Sequence, residues 1–157
     1  MARVFVGEAA PNGRCFAVVV SRFNSVFTDK LLVGCLDTLN QRGVAADAID
    51  VVHVPGAVEI PVACAQLARS GRYAAVIALG CVIRGGTPHF EYVCEAANRG
   101  TTDVSVQTGI PVIFGVLTVE NLEQARERTD GAGNKGIDAA LAALETADVL
   151  ARLAEAE

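Results

Sequence analysis

The 157-residue sequence contains no apolar run close to the roughly 20 residues that a membrane-spanning helix needs. Its longest apolar stretch, residues 74–83, is interrupted by Gly80. Residues 1–8 lack both a long apolar core and a cleavage site of small residues, so we expect no signal peptide. The length suits a single domain, residues 1–157, and we expect that domain to be cytoplasmic and to have no membrane partner.

Clusters of basic residues are absent as well. The formal net charge is −5 and the isoelectric point is near 5.0, which argues against a nucleic-acid partner because phosphate backbones attract basic surfaces. Hydrophobic residues nevertheless make up 52% of the chain, and the mean hydropathy is +0.38. A chain this apolar that stays outside the membrane is expected to bury part of its surface in a homo-oligomer.

The sequence also has no Cys-x-x-Cys pair. Its five cysteines lie far apart, and this odd number of separated thiols argues against a disulfide framework and against a zinc site. Most lie in apolar segments, where a thiol packs as a small hydrophobic group. Cys81 is the exception, because it is predicted to lie in a loop, where a nucleophilic role is the alternative to packing. The five are Cys15, Cys35, Cys64, Cys81 and Cys94.

Apolar runs alternate with segments of helical periodicity about four times along the chain. The predicted strands are residues 15–20, 49–54, 74–79 and 112–116. Predicted helices cover residues 27–43, 59–70, 92–100 and 121–128, and a last helix carries a stripe of Ile137, Leu141, Leu144 and Leu150. This pattern predicts a single-domain α/β fold, a flavodoxin-like three-layer sandwich with a four-stranded parallel sheet. Residues 4–6 are a further strand candidate, suited to the sheet edge of a neighbouring subunit.

Residues with special chemistry follow each predicted strand. The carboxyl ends of parallel strands share one edge of the sheet, so these residues are expected to converge there. Phe23 is suited to stacking on a flat heterocycle or, equally, to packing in the fold, and Asn24 to hydrogen bonding at a ring edge. Glu59 is a ligand candidate or a residue that favours a helix N-terminus. For Arg128 and Lys135 the alternative to a binding role is an ordinary solvated charge.

The segment after the third strand, residues 80–91, combines two adjacent glycines with a threonine, a histidine and a glutamate. Free backbone N–H groups in such a turn before a helix attract anions, above all phosphate. His89 would lie beside that anion, where an imidazole is suited to moving protons near neutral pH. The alternative is a tight turn in which the histidine only caps or packs.

Several motifs together resemble the lumazine synthase family, and they occur in that family's order over nearly the whole chain. They are residues 21–24 (SRFN), 54–61 (VPGAVEIP), 79–91 (LGCVIRGGTPHFE), 111–118 (PVIFGVLT), 123–125 (EQA) with Arg128, and 132–136 (AGNKG). Each motif alone is weak, and the set is specific.

The resemblance implies condensation of 5-amino-6-(D-ribitylamino)uracil with 3,4-dihydroxy-2-butanone 4-phosphate, the penultimate step of riboflavin biosynthesis. The product is 6,7-dimethyl-8-ribityllumazine, and phosphate and water are released. The 5-amino group attacks the ketone to give an imine, phosphate is eliminated, and the ribitylamino nitrogen closes the ring. Because these steps involve proton transfers and no redox change, the resemblance implies neither a metal nor a cofactor.

The resemblance also assigns roles to particular residues. Phe23 would stack on the pyrimidine, and His89 would shuttle protons. Other contacts to the pyrimidine and ribityl chain are implied for Asn24, Ala57, Val58, Glu59, Cys81, Val82, Ile83 and Phe114. Phosphate would be held by Gly86, Thr87 and Arg128, with Lys135 close by as a second positive charge.

The family resemblance further implies a homopentamer, in which Phe114 and Arg128 come from the neighbouring subunit. In some members twelve pentamers close into an icosahedral shell, and this chain has no long insertion before the last helix that would hinder closure. Riboflavin synthase is a further partner to consider. Three rival functions stay open: a flavin-binding protein without turnover, a structural shell with a vestigial site, and a riboflavin synthase of the archaeal type.

Overall fold

Four apolar segments pair in parallel as one sheet in the order β2-β1-β3-β4. The strands are β1 Phe16–Ser21, β2 Ile49–Val54, β3 Ala75–Ile83 and β4 Val112–Val119. The computed structural model describes residues 1–156. Every residue of β1 is buried, because this strand has a neighbour on each side and helices on both faces. The predicted flavodoxin-like α/β fold is therefore confirmed.

Over these described residues, five helices cover the two faces of the sheet. They are α1 Ser25–Gln41, α2 Ile60–Arg69, α3 His89–Thr108, α4 Leu122–Glu127 and α5 Lys135–Glu155, with short 3₁₀ turns at Ala46–Ala48, Ala57–Glu59 and Gly131–Gly133. Alternate residues of β1 face opposite sides, so Val18 packs with α1 and α5, whereas Val19 packs with α2 and α3. Within residues 1–156, no helix is both long enough and apolar enough to cross a membrane.

Two elements extend beyond their predicted ends, and the glycine near each predicted end lies at a close contact with another part of the chain. β3 runs through Gly80 to Ile83 and stays paired with β4, so the prediction that Cys81 lies in a loop was wrong. A Cβ on Gly80 would lie 3.1 Å from the Ser21 Oγ. Similarly, α3 continues past Gly100, where a Cβ would lie 2.6 Å from Pro61 of α2. Glycine permits these approaches without ending the element.

The buried stripe of α5 also differs from the prediction. Leu144 is buried as expected, but Leu150 is 39% exposed, and Ile137 and Leu141 are only half-buried. Small side chains let the helix lie close to the sheet and to α1. The alanines that form the rest of the buried stripe are Ala139, Ala140, Ala143 and Ala147.

The N-terminal segment, residues 1–15, lies against α5 through one buried carboxylate. Asp148 accepts hydrogen bonds from the Glu8 N–H at 2.8 Å, from Asn12 Nδ2 at 3.0 Å and from Arg14 at 3.1 Å. Arg152 donates to it at 2.8 Å from within the same helix. Beyond this anchor, residues 4–6 form no strand in the single chain, and their pairing with a neighbouring subunit stays a prediction.

The Asp148 anchor predicts a pH-dependent stability. The Glu8 N–H above all, and then Arg152, hold the pKa of this carboxyl well below its usual range. A lowered folded-state pKa adds stability above the unfolded pKa of about 4, and this stability is lost as pH falls below it. Asp148→Asn should therefore lower the thermal midpoint at neutral pH by several degrees, and the gap from wild type should narrow as pH falls below about 4.

Thermal unfolding from pH 7 downwards checks this expectation. Asp138→Asn is the matched control, because Asp138 lies on the same helix in an exposed pair with Lys135. A gap between Asp148→Asn and wild type that stays constant with pH would show that the carboxylate charge is not what holds the segment.

Candidate active site

A cavity of about 680 Å³ opens at the carboxyl edge of the sheet. The chain runs from β1 to its neighbour β2 on one side and on to β3 on the other, so the turns after these strands diverge and leave a crevice between them. The lining residues are Phe23, Pro55, Gly56, Ala57, Val58, Glu59, Cys81, Val82, Ile83, Gly85, Thr87, His89, Phe90 and Val93.

The turn after β1 is held by hydrogen bonds to two neighbouring strands. The N–H of Phe23 donates to the Pro55 carbonyl at 3.0 Å, on the β2 side. Asn24 has a left-handed backbone, with φ of 62°, and its side-chain amide donates to the Cys81 carbonyl at 2.8 Å. The turn therefore fixes Phe23 at the cavity wall, where the residue is 72% exposed.

The turn after β2 presents a carboxylate at the start of α2. Gly56 is followed by the 3₁₀ turn Ala57–Glu59, in which Ala57 is buried and Val58 is exposed to the cavity. Glu59 occupies the N-cap position of α2, but among residues 1–156 its side chain accepts no capping hydrogen bond. Its carboxylate is therefore placed at the cavity without being used to cap the helix.

The loop after β3 leads directly into α3. Within residues 1–156, a Cβ on Gly85 or Gly86 would meet no atom within 4 Å, so the loop is open on that side. The Thr87 hydroxyl accepts a hydrogen bond from the His89 N–H at 3.5 Å. His89 is the first residue of this 20-residue helix, and its side chain is exposed at the cavity. The positive end of the helix dipole favours an anion at this N-terminus.

Nine of the fourteen predicted site residues line this one cavity. Two of the remaining predicted residues adjoin the cavity, Asn24 through its bond to Cys81 and Gly86 in the neighbouring loop. The other three, Phe114, Arg128 and Lys135, lie outside it. In the single chain Arg128 donates to the Gln124 carbonyl at 3.0 Å, and Lys135 pairs with Asp138 at 3.2 Å. Phe114 lies on the edge strand β4 and is 40% exposed.

Five lining residues are not among the predicted site residues. Pro55, Gly56 and Gly85 lie in turns that were expected to converge at this edge, and the other two are Phe90 and Val93. Both belong to the first turns of α3, and with His89 they occupy one side of that helix. Predicting the helix start at residue 89 instead of residue 92 would have identified them by their spacing.

The Cys81 thiol is not suited to nucleophilic attack. It is buried among apolar side chains at the end of β3, and this burial raises its pKa to about 11. A thiol with this pKa is protonated near neutral pH, whereas the thiolate is the nucleophile. Cys81 therefore contributes its main chain to the cavity wall. Among residues 1–156, no three His, Cys, Asp or Glu side chains are grouped so that they could hold a metal ion.

The Asn24 turn predicts a difference between two substitutions. Asn24→Gly should lose only the hydrogen bond to Cys81, because glycine adopts the left-handed conformation without strain. Asn24→Ala should lose the hydrogen bond and also strain the backbone, lowering the free energy of unfolding by about 1 kcal/mol more than the glycine variant does. Chemical denaturation at a fixed protein concentration measures both changes, and equal stability of the two variants would contradict the proposed role of the backbone.

The motifs around this cavity match a known family. A sequence model of the family described as 6,7-dimethyl-8-ribityllumazine synthase matches residues 13–151. A 6,7-dimethyl-8-ribityllumazine synthase from Desulfotalea psychrophila (strain LSv54 / DSM 12343) is 52% identical over 145 residues, which cover 92% of this chain and 94% of the relative. The match includes all four strands and every residue that lines the cavity. The chain therefore belongs to the 6,7-dimethyl-8-ribityllumazine synthase family of transferases in riboflavin biosynthesis.

Proposed function

We propose that this chain condenses 5-amino-6-(D-ribitylamino)uracil with 3,4-dihydroxy-2-butanone 4-phosphate in the cavity at the carboxyl edge of its sheet. The product is 6,7-dimethyl-8-ribityllumazine, with release of phosphate and water. The observation that carries the proposal is the grouping of an exposed ring, a carboxylate, a polar main-chain edge and a histidine around one cavity of about 680 Å³ in a chain of this family.

The uracil ring would bind between the turns after β1 and β3. Phe23 offers an exposed aromatic face, and stacking on a flat heterocycle would cover apolar area that is now in water. The main chain of Cys81, Val82 and Ile83 lies across the cavity and would pair with the polar edge of the ring. The bond from Asn24 to Cys81 keeps these two walls at a fixed separation.

The ribityl chain would extend along the turn after β2. Ala57 and Val58 provide an apolar wall there, and the Glu59 carboxylate is free of the helix cap. A carboxylate accepts hydrogen bonds from hydroxyl groups, which the ribityl chain supplies.

The phosphate of the second substrate would bind at the start of α3. Gly86 and Thr87 lie in the open loop before the helix, where main-chain N–H groups and the helix dipole favour an anion. In the described part of the chain, residues 1–156, no Lys or Arg is among the residues that line the cavity. A doubly charged phosphate therefore needs a cation from elsewhere, and we propose that Arg128 of a neighbouring subunit supplies it, with Lys135 as a second charge nearby.

The need for an outside cation supports a homo-oligomer with shared sites. Phe114 is 40% exposed on an edge strand, so a neighbouring subunit could cover it and use it as a further wall of the cavity. We propose the homopentamer that the family resemblance implies. A 60-subunit shell and an association with riboflavin synthase stay predictions.

His89 would transfer protons during the reaction. It lines the cavity next to the phosphate loop, and in this proposal it would serve the nitrogen that attacks the ketone and the oxygen that leaves as water. The cavity brings two flexible substrates together in one orientation, and we expect this positioning to provide more of the rate than proton transfer does.

The test of this proposal is direct turnover of the two substrates, followed by lumazine absorbance or fluorescence. His89→Ala should keep the fold and lower kcat by less than the ~10²–10⁴-fold that a fully used acid–base group provides, because positioning is untouched. His53→Ala is the matched control, since His53 is the other histidine and its exposed side chain lies on β2, outside the cavity. No turnover by the wild type would reject the function, and an unchanged kcat in His89→Ala would remove the residue from the mechanism.

A further inference from the structure

The guanidinium of Arg84 makes three hydrogen bonds to two carboxylates although it lies at the surface. Its Nε donates to Glu120 Oε2 at 2.6 Å, its second terminal nitrogen reaches the other oxygen of Glu120 at 3.4 Å, and its first pairs with Glu91. The guanidinium carbon lies 4.4 Å from the centre of the Phe90 ring. These residues, with the Arg84 N–H bound to the Val119 carbonyl at 2.9 Å, form what we term the Arg84 clamp.

The Arg84 clamp bridges the two ends of the phosphate loop. Arg84 follows β3 directly, whereas Phe90 and Glu91 lie in the first turn of α3, so residues 85–89 are enclosed between the two ends of the clamp. In the part of the chain that the structure describes, the two glycines inside the loop have no atom near a Cβ position. The ends of the loop are therefore its main restraints.

The Arg84 clamp also joins this loop to the turn after β4. The Glu120 N–H donates to Gln124 Oε1 at 2.8 Å, and Gln124 in turn donates its N–H to the Asn121 side chain that caps α4. Arg128 follows at the end of α4. The Arg84 guanidinium thus links the phosphate loop of this subunit to α4. Arg128, at the end of α4, is the cation proposed for the neighbouring subunit's cavity.

Isolated surface ion pairs usually add little to stability, so the clamp needs a different explanation. Here the planar guanidinium of Arg84 bonds to two carboxylates and stacks on the Phe90 ring at the same time. These contacts fix the orientation of the guanidinium as well as the position of its charge. A lysine ammonium would keep the charge but could not fill all three roles. The Arg84 clamp is therefore suited to holding the two ends of residues 85–89 in a fixed arrangement.

We propose that Arg84 is a positioning residue that holds the phosphate loop and His89 in their working arrangement without touching substrate. This inference rests on the proposed function of the loop. It predicts that the shape of the guanidinium matters and that its positive charge alone does not suffice.

The carboxylates of the clamp allow the geometric role to be separated from an electrostatic one. If Arg84 served only to offset negative charge near the phosphate, Glu120→Gln would remove one negative charge and strengthen phosphate binding. If Arg84 positions the loop, the same substitution breaks the fork and weakens phosphate binding. The two accounts therefore predict opposite signs.

The experiment compares Arg84→Lys and Glu120→Gln with wild type. We expect each variant to raise KM for the phosphorylated butanone about tenfold, to leave KM for the uracil within about twofold, and to keep the thermal midpoint. Arg99→Ala is the matched control, because Arg99 lies on α3 in an exposed pair with Glu95 and should change neither KM. Unchanged kinetics, equal changes in both KM values, or tighter phosphate binding by Glu120→Gln would each overturn the proposal.

A binding measurement separates this inference from the proposed function. Titration of inorganic phosphate into wild type and Arg84→Lys follows the loop without any turnover. Weaker phosphate binding by the variant supports the clamp even if the wild type forms no lumazine, which would reject the proposed function alone. Equal phosphate binding by the two proteins overturns the clamp even if turnover is normal.

Discussion

The site depends on the parallel pairing of β1 between β2 and β3. Parallel pairing brings the carboxyl ends of all three strands to one edge, so turns far apart in sequence meet there. The Asn24 side chain then fastens the first turn to the end of β3 at Cys81. A left-handed Asn24 and an uninterrupted β3 are both needed for that bond. The separation between the ring wall at Phe23 and the polar edge across the cavity follows from these constraints.

The same sheet explains why Arg128 and Phe114 do not line the cavity of their own chain. β4 is an edge strand, and the chain beyond it carries Arg128 away from the cavity of its own subunit. Among residues 1–156, the cavity lining includes a carboxylate and a histidine but no Lys or Arg, so no cationic side chain of the lining would balance the charge of a bound phosphate. A second copy would supply the missing charge and cover exposed Phe114. Catalysis and assembly would then share one interface, and the Arg84 clamp would connect adjacent sites across each subunit.

Much of the fold could be predicted from the sequence because its signals are local. Apolar runs between turn residues indicate buried strands, and the helix predicted over residues 121–128 is confirmed as α4, which the Asn121 side chain caps. Predictions failed where distant contacts decide the outcome. By local rules Gly80 and Gly100 would end elements, yet both lie inside elements, at positions where the close approach of Ser21 and Pro61 leaves little room for a side chain. The same limit applies to the site: motifs indicated which residues would converge, whereas the Asn24–Cys81 bond and the Arg84 clamp join residues whose partners only the folded chain reveals.

The most direct test of a shared site is complementation between two variants of lowered activity. His89→Ala and Arg128→Ala are unfolded together, refolded as mixed oligomers and assayed for lumazine formation, with assembly confirmed by mass. Some interfaces then combine an intact His89 on one subunit with an intact Arg128 on its neighbour. The account predicts activity well above the average of the two parent variants. Activity that only averages the parents would place the whole site within one chain and contradict the account.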